Sequence, residues 1–515
     1  MPTGNAEAGR ERANTFIEPI ATTRAPLASS FLAVLLKFLA GPFAFAVLYV
    51  GAPEGLPRAG QLVLATFAWA IVWWVTQPVP WAATSLLPLI IFPALGVMDI
   101  ASTAGLYGQT IFFWVMGLAL LGYAMEKHGL TKRFAIRFLS IRGVASTTHR
   151  LLFVFMLTTG IVSMFVSNSA VVAMMLPIGM SVVSYVRTVA GGTEGEKYRS
   201  FANFIALGTL YAAVVGGVGT IAGAPPNVAV TAVLETLTGE TISFFRWMKV
   251  GVPLFLLLLV IFYFILRFFS PPELISIPGG EKFLRAEAAK LGKMSRGEKN
   301  VLFVFSCMVG MFIAPSLVSV VLGTQDSAAV WLRQALSIWT VPPVVMLLLF
   351  ALPNDLQKRE FTLTWKDAVE HSPWNVMLLL VGAVAMTEAL GQFGFNDFVT
   401  ANVTGIGITR WNLPFVAAFA QTALTEMASG TAMVVLLGNI LLPVALDVGF
   451  NPVSLTILLS NCANGVMFPW SGAPTAIAFA SGELDVKNMI KVGFVADGIL
   501  TVTVALVHWL VSPIL

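Results

Sequence analysis

Long apolar runs, each able to cross a hydrocarbon core of about 30 Å, recur along almost the whole chain, and four of them are broken by small polar clusters. Such runs leave few architectures open. In lipid every backbone N–H and C=O must be satisfied within the protein, so the spans are helices, and irregular backbone survives only where protein or a wet cavity covers it. Charged residues make up only 11% of the 515 positions against 57% hydrophobic. Soluble domains carry about 25% charged residues, so the water-facing surface of a soluble chain this long could not be covered. A soluble enzyme, a nucleic-acid binder and a disordered scaffold are excluded. The pattern is that of an all-α polytopic membrane protein.

Uninterrupted spans are expected at Leu32–Val50, Leu62–Thr76, Ala83–Val97, Ile111–Met125, Val250–Phe268, Val301–Val321, Leu336–Leu352, Val376–Leu390 and Val492–Leu510. Leu151–Val183 and Leu413–Leu446 are long and interrupted at a polar tip, which suits two re-entrant hairpins. Phe204–Leu234 and Leu455–Ala480 are interrupted by glycine and proline, which suits broken spans. This count gives eleven crossings. With the N-terminus inside, 24 of the 30 lysines and arginines fall in cytoplasmic segments and five outside, with Lys37 snorkelling at the inner end of the first span. The C-terminus is then outside. Residues 1–30 read as a polar, disordered cytoplasmic tail.

A repeat runs through the chain. Gly117 and Gly129 are separated by twelve positions, as are Gly382 and Gly394. Ser167-Asn168-Ser169 follows in the first copy and Ser429-Gly430-Thr431 in the second; then come Gly223-Ala224-Pro225 and Gly472-Ala473-Pro474. After Gly129 an amphipathic basic helix is expected, with Phe134, Phe138 and Ile141 opposite Lys132, Arg133, Arg137 and Arg142. Its counterpart after Gly394 has only Arg410. That difference in basic content suits two copies on opposite faces, an inverted repeat, the layout of secondary transporters with a midplane site. The expected divisions are a tail (1–30), scaffold helices (31–110), the first repeat (111–240), scaffold helices with a cytoplasmic loop (241–373), the second repeat (374–483) and a last transmembrane helix (484–515).

Serine and asparagine at a hairpin tip suit close helix packing. They equally suit ions, because N–H groups at helix starts attract anions and side-chain oxygens bind Na⁺. Their recurrence in repeat-related pairs favours the second role. Glu426, just before the second tip, is costly in a membrane and is a functional candidate, although it could simply pair with neighbouring backbone. Asp447 and Asp497 are expected near helix ends. No lysine or arginine falls in any polar island, so an anion there would be met by helix dipoles, hydroxyls, amides and co-transported cations rather than by a basic pore ring. No nucleophile–base pair or metal cluster is visible, and the chain is not read as an enzyme. Cys307 and Cys462 suggest neither a disulfide nor a metal site.

Several stretches carry a resemblance. Gln77-Pro-Val-Pro-Trp81, Leu86-Leu-Pro-Leu89, Phe92-Pro93, Gly129-Leu-Thr-Lys-Arg-Phe-Ala135, Ser167-Asn-Ser169, Met174-Met-Leu-Pro177, Gly223-Ala-Pro-Pro-Asn227 and Thr425-Glu-Met-Ala-Ser429 together resemble the divalent anion/sodium symporter family of dicarboxylate carriers. The resemblance runs from about residue 32 to the C-terminus. It implies an elevator-type secondary transporter of the inner membrane, usually a homodimer in lipid, carrying a small di- or tricarboxylate by sodium symport or anion exchange. A sulfate-like carrier and a passive anion channel are the alternatives. By motif match, a first sodium site would use Ser163, Ser167, Asn168 and Gly223, and a second Thr425, Ala428 and Ser471. Substrate would touch Ser167, Asn168, Ser169, Ser429, Thr431 and Gly472. Gly430 stands where the family carries asparagine, and Trp470-Ser471-Gly472-Ala473-Pro474-Thr475 departs from the family's second break. Both imply a weakened second cation site.

The inverted repeat is checked by labelling. On a background with both native cysteines replaced by serine, Ser140→Cys should react from the cytoplasm and Asn402→Cys from outside. Reaction of both from one side would remove the inversion.

Overall fold

A computed structural model describes residues 27–51, 55–189, 198–323, 325–403 and 407–513. Most of the expected tail, including Arg10, Arg12 and Arg24, lies outside the described residues. The described residues are mostly helical; the one sheet among them is a two-stranded antiparallel hairpin, Pro353–Asp355 with Glu360–Phe361. Ten helices among the described residues are long and apolar enough to cross a membrane. The first, Leu27–Val50, packs mainly on Arg58–Thr76 and leaves Phe31, Leu32 and Phe43 exposed, as a lipid-facing helix does. At the other extreme, Arg199–Val218 is buried nearly all round and forms the centre of the bundle.

The two hairpins form where expected. Thr148–Ser163 and Asn168–Val189 are the arms of the first, Leu413–Met427 and Gly430–Asp447 those of the second. The broken spans are Arg199–Val218 with Pro225–Thr238, and Pro452–Asn461 with Ala473–Phe479. Their packing is reciprocal. The second arm of the first hairpin lies on Ala473–Phe479, and the second arm of the second hairpin lies on Pro225–Thr238. Each repeat therefore closes the other.

Two expected spans are corrected. Ala83–Val97 is not one helix but two short ones, Trp81–Thr84 and Leu87–Ala94. Leu336–Leu352 reduces to Val341–Ala351, whose 11 residues reach only about 17 Å, half the hydrocarbon thickness. Prolines set both limits: Pro80, Pro88 and Pro93 in one, Pro342 and Pro343 in the other, each lacking an N–H for a helix interior. These short pieces belong to the repeat. Gly117 packs against the backbone of Pro342, and Gly382 sits where an added Cβ would be 2.6 Å from the Ser85 carbonyl. The glycines that mark the repeat thus let a long helix touch a short broken one in each half.

The helix after Gly129, Leu130–Leu139, also differs from its expected face. Leu130, Ala135, Ile136 and Leu139 are buried, whereas Phe138 and Ile141 are exposed. Arg133 is buried too, and its guanidinium grips Glu298 in a bidentate pair (2.6 and 3.0 Å) while donating to the carbonyls of Leu291 and Gly292. Paired in this way, a buried arginine is tolerated. Further ion pairs join Lys127 to Asp367 (2.8 Å) and Arg187 to Glu483 (3.0 Å), so the basic segments near residues 127–150, 187, 293–298, 367 and 483 share one face. Partial burial opposes the Asp367 charge, but hydrogen bonds from Lys127 and Thr364 hold its carboxyl well below the usual range.

The closest backbone approach inside the first repeat is at Gly216, where a Cβ would run into the Gly160 carbonyl and crowd Ser163. Gly216→Ala should force the first hairpin off the central helix at about 1–3 kcal/mol. A lowered midpoint in a thermal melt of the purified protein checks this. An unchanged midpoint would show that the two helices are free to separate.

Candidate functional site

Each break exists because a helix stops for a local reason. Pro225-Pro226 and Pro474 fix helix starts, since proline is accommodated in a first turn where its missing N–H costs nothing. Asn227 then pins the first break: its amide donates to the carbonyls of Gly217 and Thr220, both at 2.8 Å, and its oxygen accepts from Ser460 of the other broken span. Thr220 donates to the Met164 carbonyl and accepts from Ala222 N (3.1 Å). The irregular backbone is satisfied, as its depth requires.

The breaks and the tips meet around one cavity of about 800 Å³. Ser167, Asn168, Ser169, Gly223, Ala428, Ser429, Gly430, Thr431, Ser471 and Gly472 all line it. The helices starting at Asn168, Pro225, Gly430 and Ala473 bring their first turns to it, the helix ending at Met427 reaches it, and those ending at Ser163, Val218 and Asn461 stop within a few residues of the lining positions Phe165, Ala222 and Ala463. Helix starts carry about half a positive charge and helix ends about half a negative one, so the site offers partial charges of both signs within a few residues. None of its lining residues is lysine or arginine. Its wall toward the face of the ion pairs is Tyr123, Glu126, His371 and Trp81.

Ser163 and Thr425 do not line the cavity; both are buried immediately behind it. Ser163 Oγ lies 2.9 Å from the Asn168 amide. With its nitrogen turned this way, Asn168 donates to Ser163 Oγ and to the carbonyls of Ala213 (3.0 Å) and Gly223 (3.2 Å). With its oxygen there instead, that oxygen and two carbonyls face one another, which a small cation among them would reconcile. The residues present thus fit a sodium ion in the first set. In the second set, Thr425 Oγ1 accepts from Gln421 (2.9 Å), and Ser471 Oγ donates to Glu426 and accepts from Phe468 N (3.0 Å).

Gly430 has a steric reason that sequence alone does not reveal. A Cβ there would run into the Ala463 carbonyl, so the asparagine expected at this tip position has no room. The residue missed by sequence reasoning is Asn464, whose side chain reaches the cavity from the second break and lies 3.3 Å from the Asn168 amide. An amide thus enters beside the first tip from across the repeat. Its signal was an asparagine–glycine pair in the middle of an apolar stretch. Thr475 cannot serve in its place, because its buried hydroxyl caps Gly472 N (2.9 Å) and faces the Pro469 and Gly472 carbonyls.

A family profile described as the sodium:sulfate symporter transmembrane region matches residues 33–513. The chain belongs to the sodium:sulfate symporter family. Among curated relatives, the sodium-dependent dicarboxylate transporter SdcS of Staphylococcus saprophyticus is 32% identical over 491 residues, covering 93% of this chain and 92% of the relative. SdcS of Staphylococcus aureus is 30% identical over 488 residues, 93% and 91% of the two chains. Two solved structures share the fold at 10% identity. The YdaH transporter of Alcanivorax borkumensis aligns at a TM-score of 0.54 over 89% of this chain and 99% of its own, and MtrF of Neisseria gonorrhoeae at 0.55 over 93% and 98%. This family member is a multi-pass membrane transporter, not an enzyme.

Gly430 and Gly472 separate steric need from mere position in the loop. Gly430→Ala should lower the melting midpoint and abolish uptake. Gly472→Ala, whose Cβ would meet only Pro474 at 3.5 Å, should leave the midpoint essentially unmoved, a stability change within the roughly ±0.5 kcal/mol typical of tolerated substitutions. Equal melting of the two variants would show that the second tip is not held against Ala463.

Proposed function

We propose that this family member carries a small dicarboxylate across the inner membrane, coupled to sodium. The observation that supports this most directly is the meeting of helix starts and helix ends at a cavity whose lining holds neither lysine nor arginine. A dianion there is balanced by helix starts and the hydroxyls and amides of Ser167, Asn168, Ser169, Ser429, Thr431 and the loop at Gly472. Its remaining charge is balanced by sodium among Ser163, Ser167, Asn168 and Gly223, and among Thr425, Ala428 and Ser471. Asn168, shared between ion and substrate, then makes each bind better when the other is present. The names of the SdcS relatives point to the same substrate class and the same ion. A cavity of about 800 Å³ is generous for sulfate and suits an organic anion with co-bound ions.

The same reading keeps the eleven crossings counted from the sequence, and takes the elevator movement of the hairpins and broken spans against a scaffold, and the homodimer, from the family resemblance. It places the N-terminus and the ion-paired face in the cytoplasm, the C-terminus outside, and the domain divisions at 31–110, 111–240, 241–373, 374–483 and 484–515. Moving two negative charges inward against an inside-negative potential costs about 4.6 kcal/mol per 100 mV, at about 2.3 per charge. Two sodium ions cancel that cost and a third turns the potential into a driving force.

Uptake into proteoliposomes from a panel of dicarboxylates, tricarboxylates and sulfate should exceed equilibrium only for dicarboxylates and only with an inward sodium gradient. Asn168→Ala should reduce that uptake at least a hundredfold while leaving the protein folded and monodisperse. Sulfate accumulation in preference to dicarboxylates would replace the substrate, gradient-independent equilibration would make the protein a channel, and wild-type rates in Asn168→Ala would remove the site.

A further inference from the structure

The acids buried among the membrane helices are accounted for inside the fold. Glu426 accepts from Ser471 and from Met467 N, and Asp497, which lies in the middle of Val486–Val511 rather than near its end as the sequence suggested, accepts from Val466 N. A second pocket, of about 490 Å³ on the face of the ion pairs, has no part in the transport site. Arg142, His149, Arg150, Phe153, Val154 and Tyr263 line it. Three segments build it: the loop after Leu130–Leu139, the first two turns of the hairpin arm Thr148–Ser163, and the later part of Phe244–Phe269. Tyr263 joins them. Its ring packs edge-on against Phe153, with 5.4 Å between centroids, and its hydroxyl lies 3.2 Å from His149 Nδ1 and 3.4 Å from the His149 carbonyl. Among the described residues His149 Nε2 has no hydrogen-bond partner.

We propose that this pocket binds the phosphate of an anionic phospholipid. Other basic residues of the same region are neutralised by carboxylates: Lys127 by Asp367, Arg133 by Glu298, Arg187 by Glu483 and Arg285 by Glu281. Arg142 and Arg150 are not. Among the described residues neither makes an ion pair, and neither does Arg267, which is exposed one turn beyond Tyr263 on the same side of its helix. The Arg150 guanidinium has only a long contact to the Ser146 hydroxyl (3.5 Å). Glu281, the acid that touches the loop, is already committed: one oxygen accepts from Gly143 N (2.9 Å) and the other from Arg285 (3.3 Å). Two guanidinium groups therefore line the concavity and a third stands a turn away, with no carboxylate to answer them. Their forked N–H groups match phosphate oxygens in pairs, and the start of the hairpin arm adds a partial positive charge.

The apolar surroundings select a lipid over a soluble anion. Phe153 and Val154 form a half-buried wall. The Phe264 ring stands edge-on to Tyr263 at 5.6 Å, and both Phe264 and Phe268 are exposed along a helix long and apolar enough to span the membrane. Ile141, next to Arg142, and Phe138, one turn earlier, are exposed as well. Against water so many large apolar side chains would be costly. At the edge of a bilayer they face acyl chains while the arginines reach the phosphate level, where basic and aromatic side chains concentrate. The pocket takes the headgroup, and the chains run outside it along Phe264 and Phe268. A headgroup carrying its own ammonium would set that charge against the arginines, so the site discriminates against zwitterionic lipid. The inference does not depend on which solute is carried.

Native mass spectrometry of the purified full chain in detergent, titrated separately with phosphatidylglycerol, phosphatidylcholine and inorganic phosphate, tests the site. Wild type should retain one phosphatidylglycerol at concentrations where no phosphatidylcholine stays bound. The double variant Arg142→Gln/Arg150→Gln should weaken that binding roughly thirtyfold, about fivefold for each arginine removed. Arg267→Gln alone should weaken it by up to about fivefold and serves if the double variant melts early. Equal retention of phosphatidylcholine by wild type, which needs no variant, would overturn the site. So would unchanged phosphatidylglycerol affinity in the double variant with a wild-type melting midpoint. Displacement of the lipid by inorganic phosphate at millimolar concentration would overturn the lipid assignment and leave a site for soluble phosphate.

Discussion

Backbone that leaves its helix inside a membrane has to find partners there, and the rest of this transporter is arranged around the four places where it does so. Two hairpin tips and two broken helices bring their free N–H and C=O ends to one cavity. The charge that a basic residue would supply elsewhere comes here from aligned peptide dipoles. Dipoles cost less to bury than an ammonium, and they do not hold an anion so tightly that it cannot leave. The absence of lysine and arginine from the lining follows from that choice.

Holding four chain ends together needs close backbone contact, and glycine supplies it at each seam. Gly117 and Gly382 set long helices against short broken ones, Gly216 sets the first hairpin against the central helix, and Gly430 sets the second tip against Ala463. Contacts at this distance transmit displacement, because there is no side chain to absorb it. The reciprocal packing of each second arm on the other repeat ties the hairpins and broken spans of the two halves together. At one face Lys127–Asp367, Arg133–Glu298 and Arg187–Glu483 join the loops, at depths where losing one partner would leave the other charge uncompensated.

Much of the fold was legible because its signals are local. Span length, the polar tips, the proline-fixed breaks and the asymmetry of basic residues are all written in short stretches, and the hairpins and broken spans fall within a few residues of where those signals put them. The two misread spans had the hydropathy of membrane helices; their prolines shortened them, and the glycines they pack against, Gly117 and Gly382, are far away in sequence. Arg133 was read as a solvent-facing charge because its partner, Glu298, is 165 residues distant.

The sequence by itself determined that this chain is a polytopic helical transporter with an internal repeat, and its polar tips and breaks, together with the family motifs, named residues that line the cavity, since a polar cluster in an apolar run has few other uses. Only the tertiary structure decided which atoms meet. Asn464 beside Asn168, Ala463 against Gly430, and Ser460 on Asn227 each join segments that no periodicity relates. The physical reason is range. A helix, a tip or a break is fixed by its own residues, whereas the depth at which two of them cross is set by the packing of the whole bundle.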